Sequence, residues 1–205
     1  MNLPENIQFW DRISGVYDFI VRRMVPGWSN LLDRIAEDVG HCEKALEVAT
    51  GPGDIALRMA YYCDFVEAVD TSEKMIAKAW EKARQNRAEN VLFDVQNAYQ
   101  LQYDRNTFDA VVCANALHCM TTPEKALSEI RRVLKPGGKL IAPTFCHGQH
   151  LSSLLISHLV DFTGFKAYHR FQKESLLYLL LQSGFKIQEA ELLPATIPLL
   201  YVLAE

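Results

Sequence analysis

Apolar positions along this chain follow two rhythms in turn. Ala45–Ala49, Phe65–Asp70, Val91–Val95 and Thr107–Cys113 are short apolar runs, each closed by turn chemistry, and they predict strands. Between them the apolar residues recur at helical spacing: from Ile55, at Met75, Ile76, Ala79 and Trp80, and beyond Thr122-Pro123, a helix start with proline at its first position. Leu134-Lys-Pro-Gly-Gly-Lys-Leu140 stops that helix and turns into a fifth strand. Leucines 176, 177, 179, 180 and 181 predict a helix over 172–183, stopped by Gly184. Phe185–Leu192 and Ile197–Leu203 then read as two closing strands, and the short loop at Pro194 makes them antiparallel neighbours. Before the first strand, Trp10, Ile13, Val16, Tyr17 and Ile20 predict a helix, Pro26-Gly27 a break, and Leu31–Val39 a second helix. Residues 1–40 are thus expected to be a helical cap over the mouth of a site, and 146–170, where the pattern loosens, a substrate-covering segment.

The whole is organised around Ala45-Leu-Glu-Val-Ala-Thr-Gly-Pro-Gly-Asp-Ile-Ala-Leu57, a strand, a glycine turn and a helix start. Gly51 and Gly53 let the backbone bend and approach a ligand with no Cβ in the way. The helix that follows presents unpaired N–H groups. Two ligand classes use such a turn. Gly51-x-Gly53-x-x-Ala56, with Asp70 some 20 residues on, satisfies the dinucleotide fingerprint. Glu47 argues the other way: a carboxylate inside an apolar strand needs a partner and repels a pyrophosphate, whereas a sulfonium or ammonium ligand suits it, directly or through a water or a loop N–H.

Here the chain resembles the class I S-adenosylmethionine-dependent methyltransferases, whose first motif reads acid-x-Gly-x-Gly-x-Gly. In this sequence it reads Glu47-Val-Ala49-Thr-Gly51-Pro-Gly53, with Ala49 in place of the first glycine. Trp10-Asp-Arg-Ile-Ser-Gly-Val-Tyr-Asp18 is similar to the opening of the ubiquinone- and menaquinone-type C-methyltransferases and their small-molecule relatives. The resemblance implies a single domain over 1–205, a three-layer α/β/α Rossmann-like fold, and a seven-stranded, mostly parallel sheet whose last strand is antiparallel. It also implies S-adenosylmethionine as cofactor.

Further motifs carry the same resemblance. Asp70 ends the second strand where a carboxylate accepts both hydroxyls of a ribose; its alternative role is to cap the next helix. Thr71 and Met75 follow it. The family's Gly-Asp-Ala-x-x-Leu appears as Gln96-Asn97-Ala98-Tyr99-Gln-Leu101, so Asn97, a neutral acceptor and donor, occupies the adenine-binding slot, with Asp94 as a competing acid. Phe108-Asp-Ala-Val111 and Ala116-Leu-His118 form a paired signature that sets Asn115 against the cofactor and His118 near the substrate. Leu134-Lys-Pro-Gly-Gly138 completes it as scaffold. Tyr17 either lies over the cofactor, as the matching tyrosine of the relatives does, or only packs its helix. Where the acceptor is a hydroxyl or an acidic carbon, His118 is the candidate base.

Composition narrows the partners. With 205 residues and a net charge of −4, the chain suits one α/β domain with no pull toward nucleic acid or anionic membrane. The expected partner is a small-molecule methyl acceptor, partly apolar in view of Phe162, Phe165, Tyr168 and Phe171. No apolar run is long enough for a signal peptide or a membrane span. Five cysteines without a C-x-x-C pair suit free thiols in a reducing cytoplasm. His118-Cys119, Cys146-His147 and His150 gather beside strands four and five, yet their spacing matches no metal motif and no metal is expected. The open rivals are a nicotinamide-dependent oxidoreductase, which lacks a tyrosine followed four residues later by lysine, and a cofactor-binding module without turnover.

Overall fold

A computed structural model describes residues 7–151, 153, 155 and 164–205. Strands β1 (Cys42–Val48), β2 (Cys63–Asp70), β3 (Val91–Val95), β4 (Phe108–Val112) and β5 (Leu134–Ile141) are parallel, in the order β3-β2-β1-β4-β5. β8 (Leu199–Ala204) runs against β5, and β6 (Thr144–Phe145) and β7 (Ile187–Leu193) both pair with it antiparallel. So β8 alone opposes the rest, as expected for the last strand. An eighth segment appears because Pro143, with no N–H to donate, breaks the fifth strand before β6 resumes its line along β8.

Helices cover both faces of this sheet. Successive strand residues alternate between two cores: Ala45, Val66, Ala68 and Val112 join Ile35, Met59 and Ile76 on one side, and Leu46, Val48 and Val111 join Leu127, Ile130 and Leu176 on the other. The first core is closed by α3 (Trp28–Val39), α4 (Asp54–Met59) and α5 (Glu73–Asn86). The second lies under α6 (Pro123–Val133) and α7 (Lys173–Gln182). The result is a three-layer α/β/α domain.

The cap differs from the expected single helix over 10–20. It forms α1 (Ile7–Ile13) and α2 (Tyr17–Met24), parted where the Ser14 hydroxyl bonds back to the Asp11 carbonyl and Gly15 follows. No residue of α1 is buried, so polar ties fasten it: Ser72 donates to Asp11 at 2.5 Å, and Lys82 pairs with Asp18 of α2 at 2.8 Å. Leu154, His158, Leu159 and Phe162 of the expected covering segment lie outside the described residues.

Candidate active site

The glycine turn between β1 and α4 is built by one carboxylate. Strand alternation points Glu47 toward α4, where its Oε2 accepts from the Thr50 hydroxyl and, at 2.9 Å, from the Ala56 N–H. The N-cap of α4 is Gly53, which has no side chain to cap with, so Glu47 satisfies a first-turn N–H from the neighbouring strand. Burial raises its pKa to about 8 despite those two hydrogen bonds. Glu47 therefore stands behind the turn, holding its shape.

The two glycines have different tasks. At Gly53, with φ 82°, a Cβ would meet the Phe93 ring at 2.8 Å and Ala79 at 2.9 Å, so this glycine serves helix–sheet packing. At Gly51, with φ 55°, a Cβ would find only the Tyr17 ring, at 3.8 Å, across the mouth of the site. Ala49 also has a positive φ, 59°, a strained conformation for a residue with a Cβ.

A cleft runs along the carboxyl ends of β1, β2 and β4, lined by Tyr17, Ala49, Gly51, Asp70, Thr71, Met75 and Asn115. It continues past β3, where Ala49, Asp70 and Thr71 meet Asn97 and Ala98. Asp70 accepts from Gly51 N–H and Ser72 N–H, both at 2.9 Å, so it braces the turn while keeping acceptor sites for a ligand. Helix capping falls to Ser72, whose Oγ accepts from Met75 N–H. Asn97 Oδ1 accepts from Tyr99 N–H at 2.9 Å. Asp94, the competing acid, is tied to Val95 N–H and the Gln96 amide.

At its other end the cleft meets a chamber of about 490 Å³, and Trp10, Tyr17 and Asn115 line both. Phe9, Ile13, Ile20 and Met24 from α1 and α2 form one wall, while His118, Phe145, His147 and Phe165 form the other. The His118 and His147 rings are 4.8 Å apart, and Phe165 lies 6.0 Å from His118. His118 is buried, its Nδ1 makes no hydrogen bond, and burial followed by the two neighbouring histidines drives its pKa well down, so the imidazole is neutral. Asn115, at φ 52°, carries a buried Oδ1 without a partner at the junction of cleft and chamber.

Comparison with known proteins interprets this architecture. The methyltransferase domain family matches residues 46–142. A ubiquinone/menaquinone biosynthesis C-methyltransferase of Zymomonas mobilis is 32% identical over 138 residues, 65% of this chain and 57% of that protein. A putative methyltransferase from Bacillus halodurans C-125 superposes with a TM-score of 0.70 at 25% identity, covering 79% of this chain and 71% of the other. A phosphoethanolamine N-methyltransferase of Haemonchus contortus, in complex with S-adenosylhomocysteine, does so with a TM-score of 0.72 at 25% identity, over 90% of this chain and 44% of that one. Over residues 46–142 this chain carries a methyltransferase domain, set in the fold of the S-adenosylmethionine-dependent methyltransferases. It spans little more than half the length of the Zymomonas relative.

The methyltransferase domain has groups that fit its cofactor. Gly51 leaves a cradle that a Cβ would narrow, Asp70 has acceptors left for a ribose, and the Asn115 Oδ1 suits an ammonium. Of the residues expected from sequence, Glu47 and Gly53 stand behind the cleft and His118 lines the chamber. Of the expected aromatic cover, Phe165 lines the chamber, Phe171 stacks on His169 at 5.3 Å, and Tyr168 is exposed. His147, expected beside His118 in the histidine and cysteine cluster, lines the chamber with it; the lining of a chamber by α1 and α2, and Met120 in the cleft, were not expected. Helical spacing marked apolar residues before the first strand, but that α1 buries none of them against the domain is visible only in the fold. Among the described residues no three His, Cys, Asp or Glu side chains converge as metal ligands, and no helix is long and apolar enough to cross a membrane.

Proposed function

We propose that this methyltransferase transfers the methyl group of S-adenosylmethionine in line to a small, largely apolar acceptor held in the chamber. The observation that carries this reading is the shared wall: Tyr17 and Asn115 line both the cofactor cleft and the chamber, so two ligands meet there. The bound cofactor supplies a methyl group on a positively charged sulfur. The chain's own residues align, desolvate and take up a proton. Asp70 and the Gly51 turn fix the ribose end, Asn97 and Ala98 flank the adenine end, and Tyr17 closes over the turn. Burial raises the Tyr17 pKa, which keeps its hydroxyl neutral.

The described residues lining the chamber include the Arg12 guanidinium and no carboxylate, which disfavours an ammonium acceptor. His118, buried and neutral, offers the Nδ1 lone pair or the Nε2 to the acceptor's proton. Nothing in the chain's net charge of −4 recommends a nucleic acid as acceptor, and the cytoplasm remains the expected compartment.

Calorimetry with S-adenosylmethionine, S-adenosylhomocysteine and NAD tests the cofactor assignment, and an acceptor panel guided by mass spectrometry of co-purified ligand tests the transfer. Micromolar binding of the two sulfur compounds and product from a small aromatic or aliphatic acceptor is the expected result. A pocket that takes NAD and ignores sulfonium compounds overturns it. Cofactor binding with no product from any acceptor would point to a binding module.

A further inference from the structure

The cysteines divide between opposite ends of the sheet. Cys113, Cys119 and Cys146 lie toward the active-site edge, and burial raises all three thiols, Cys113 to about 12 and Cys146 to about 11. Cys42 and Cys63 open β1 and β2 at the other edge and face each other as register partners. Their sulfurs are 2.8 Å apart. Adjacent strands run about 4.8 Å apart, inside the range of Cα separations that a disulfide spans. Both side chains leave the same face of the sheet, so the bond can form without moving the backbone far.

We propose that Cys42 and Cys63 are an oxidisable pair that closes to a disulfide between β1 and β2 when a glutathione-disulfide-type oxidant is present. Cys42 is the thiol that reacts first. It is half-buried, whereas Cys63 is buried, and the hydrogen bond between the two sulfurs holds its pKa below the ordinary thiol range. The Cys42 thiolate attacks one sulfur of the oxidant; that S–S bond breaks, one glutathione leaves as thiolate, and Cys42 carries the other. Cys63 then attacks Cys42 Sγ, the bond to glutathione breaks, and the second glutathione departs with the proton Cys63 gives up. Two protein thiols are oxidised to one disulfide, and one oxidant is reduced to two thiols.

The bond encloses the glycine turn and all of α4, since both lie between residues 42 and 63. It clasps the segment that shapes the cofactor cleft at the edge remote from the cleft, so cofactor binding is retained after oxidation. A reducing glutathione pool keeps the pair open.

The test is to incubate the reduced, folded protein with glutathione disulfide, alkylate, and analyse intact mass and peptides. The mass is expected to fall by about 2 Da, the two hydrogens lost, with Cys42 and Cys63 peptides joined and three thiols left to alkylate of the original five. The unfolding midpoint should rise by roughly 5–10 °C and return on reduction. Cys42→Ser should give no joined peptide, and Cys63→Ala should hold glutathione on Cys42. Stable glutathione on Cys42 of the unaltered protein, a bridge between other cysteines, or five alkylated thiols would overturn the proposal.

Discussion

The cleft and the chamber share a wall but are made in different ways. The cleft is built from main-chain turns at consecutive strand ends: the Glu47-braced glycine turn, the Asp70 corner, the Asn97-Ala98 bend and the strained Asn115. Each needs a particular residue type at a particular spacing. The chamber is built from side chains on α1 and α2, from Phe145 and His147 after β5, and from Phe165 and Ile197, which are far apart in the chain. Any large apolar residue of suitable shape satisfies most of those positions. Under the function proposed above, the cleft is a fixed device for one cofactor and the chamber is where the choice of acceptor lies.

If that division is right, the largest effect should be on turnover alone. His118→Ala should lower kcat by about 10²–10⁴-fold, the range for a positioned base, and leave S-adenosylmethionine affinity unchanged, because His118 lines only the chamber. Turnover within a few-fold of the unaltered enzyme at every pH would remove His118 as the base. Asp70→Asn should do the converse. The amide's NH₂ must face either Gly51 N–H or Ser72 N–H, both of which donate to Asp70 at 2.9 Å, so cofactor affinity should fall about 100-fold by calorimetry.

The glycine pair sharpens the comparison within the cleft. Gly53→Ala should destabilise the fold by about 2–4 kcal/mol in urea titrations, because the new methyl meets Phe93 at 2.8 Å and the backbone has φ 82°. Gly51→Ala should cost about 1–2 kcal/mol from its φ of 55° and weaken cofactor binding more than Gly53→Ala does, since its methyl enters the cleft. Equal effects on stability and binding in the two variants would mean that the glycines share one task.

How much of this was legible in the sequence follows the same line. The strand–helix alternation, the antiparallel closing pair and most of the cleft could be read because backbone periodicity and turn chemistry leave residue-specific marks. Two features could not. That Glu47 serves as the cap of α4 depends on Gly53 being the N-cap, a matter of three-dimensional proximity between β1 and α4. That α1 and α2 are separate helices lining the chamber depends on Ser14 bonding to Asp11 and on docking through Ser72, and helical spacing alone does not show either.

Glu47 offers a smaller, pH-dependent test. Its folded pKa of about 8 lies above the ordinary carboxylate value, so between roughly pH 4.5 and 8 the folded chain holds a proton that the unfolded chain has lost. Stability of the ligand-free protein should therefore fall as pH rises through that window and level off above it. Glu47→Gln keeps an acceptor for Thr50 and Ala56 and should be flatter by roughly 1–3 kcal/mol over the window, read from urea midpoints. A positively charged donor favours the ionised form. The affinity ratio of S-adenosylmethionine to S-adenosylhomocysteine should thus rise a few-fold from pH 6 to 9 in the unaltered protein and stay level in the variant. A level ratio in both would sever the electrostatic link between Glu47 and the sulfonium.

The smallest effect belongs to Ala49, where the family pattern has glycine. Its φ of 59° costs an alanine about 1 kcal/mol, which a glycine avoids while adding some chain entropy to the unfolded state. Ala49→Gly should then stabilise the fold by at most about 1 kcal/mol, a rise of 2–4 °C in Tm. The strain is sustained by the bonds on either side: Thr50 N–H to the Val69 carbonyl at 2.9 Å, and the Thr50 hydroxyl to Glu47. Because Ala49 lines the cleft where its two parts meet, removing its methyl widens that passage and should leave cofactor affinity no weaker. A glycine variant that is both less stable and a poorer binder would show the methyl to be a packing contact for the cofactor, and would make the alanine a feature of this cleft in its own right.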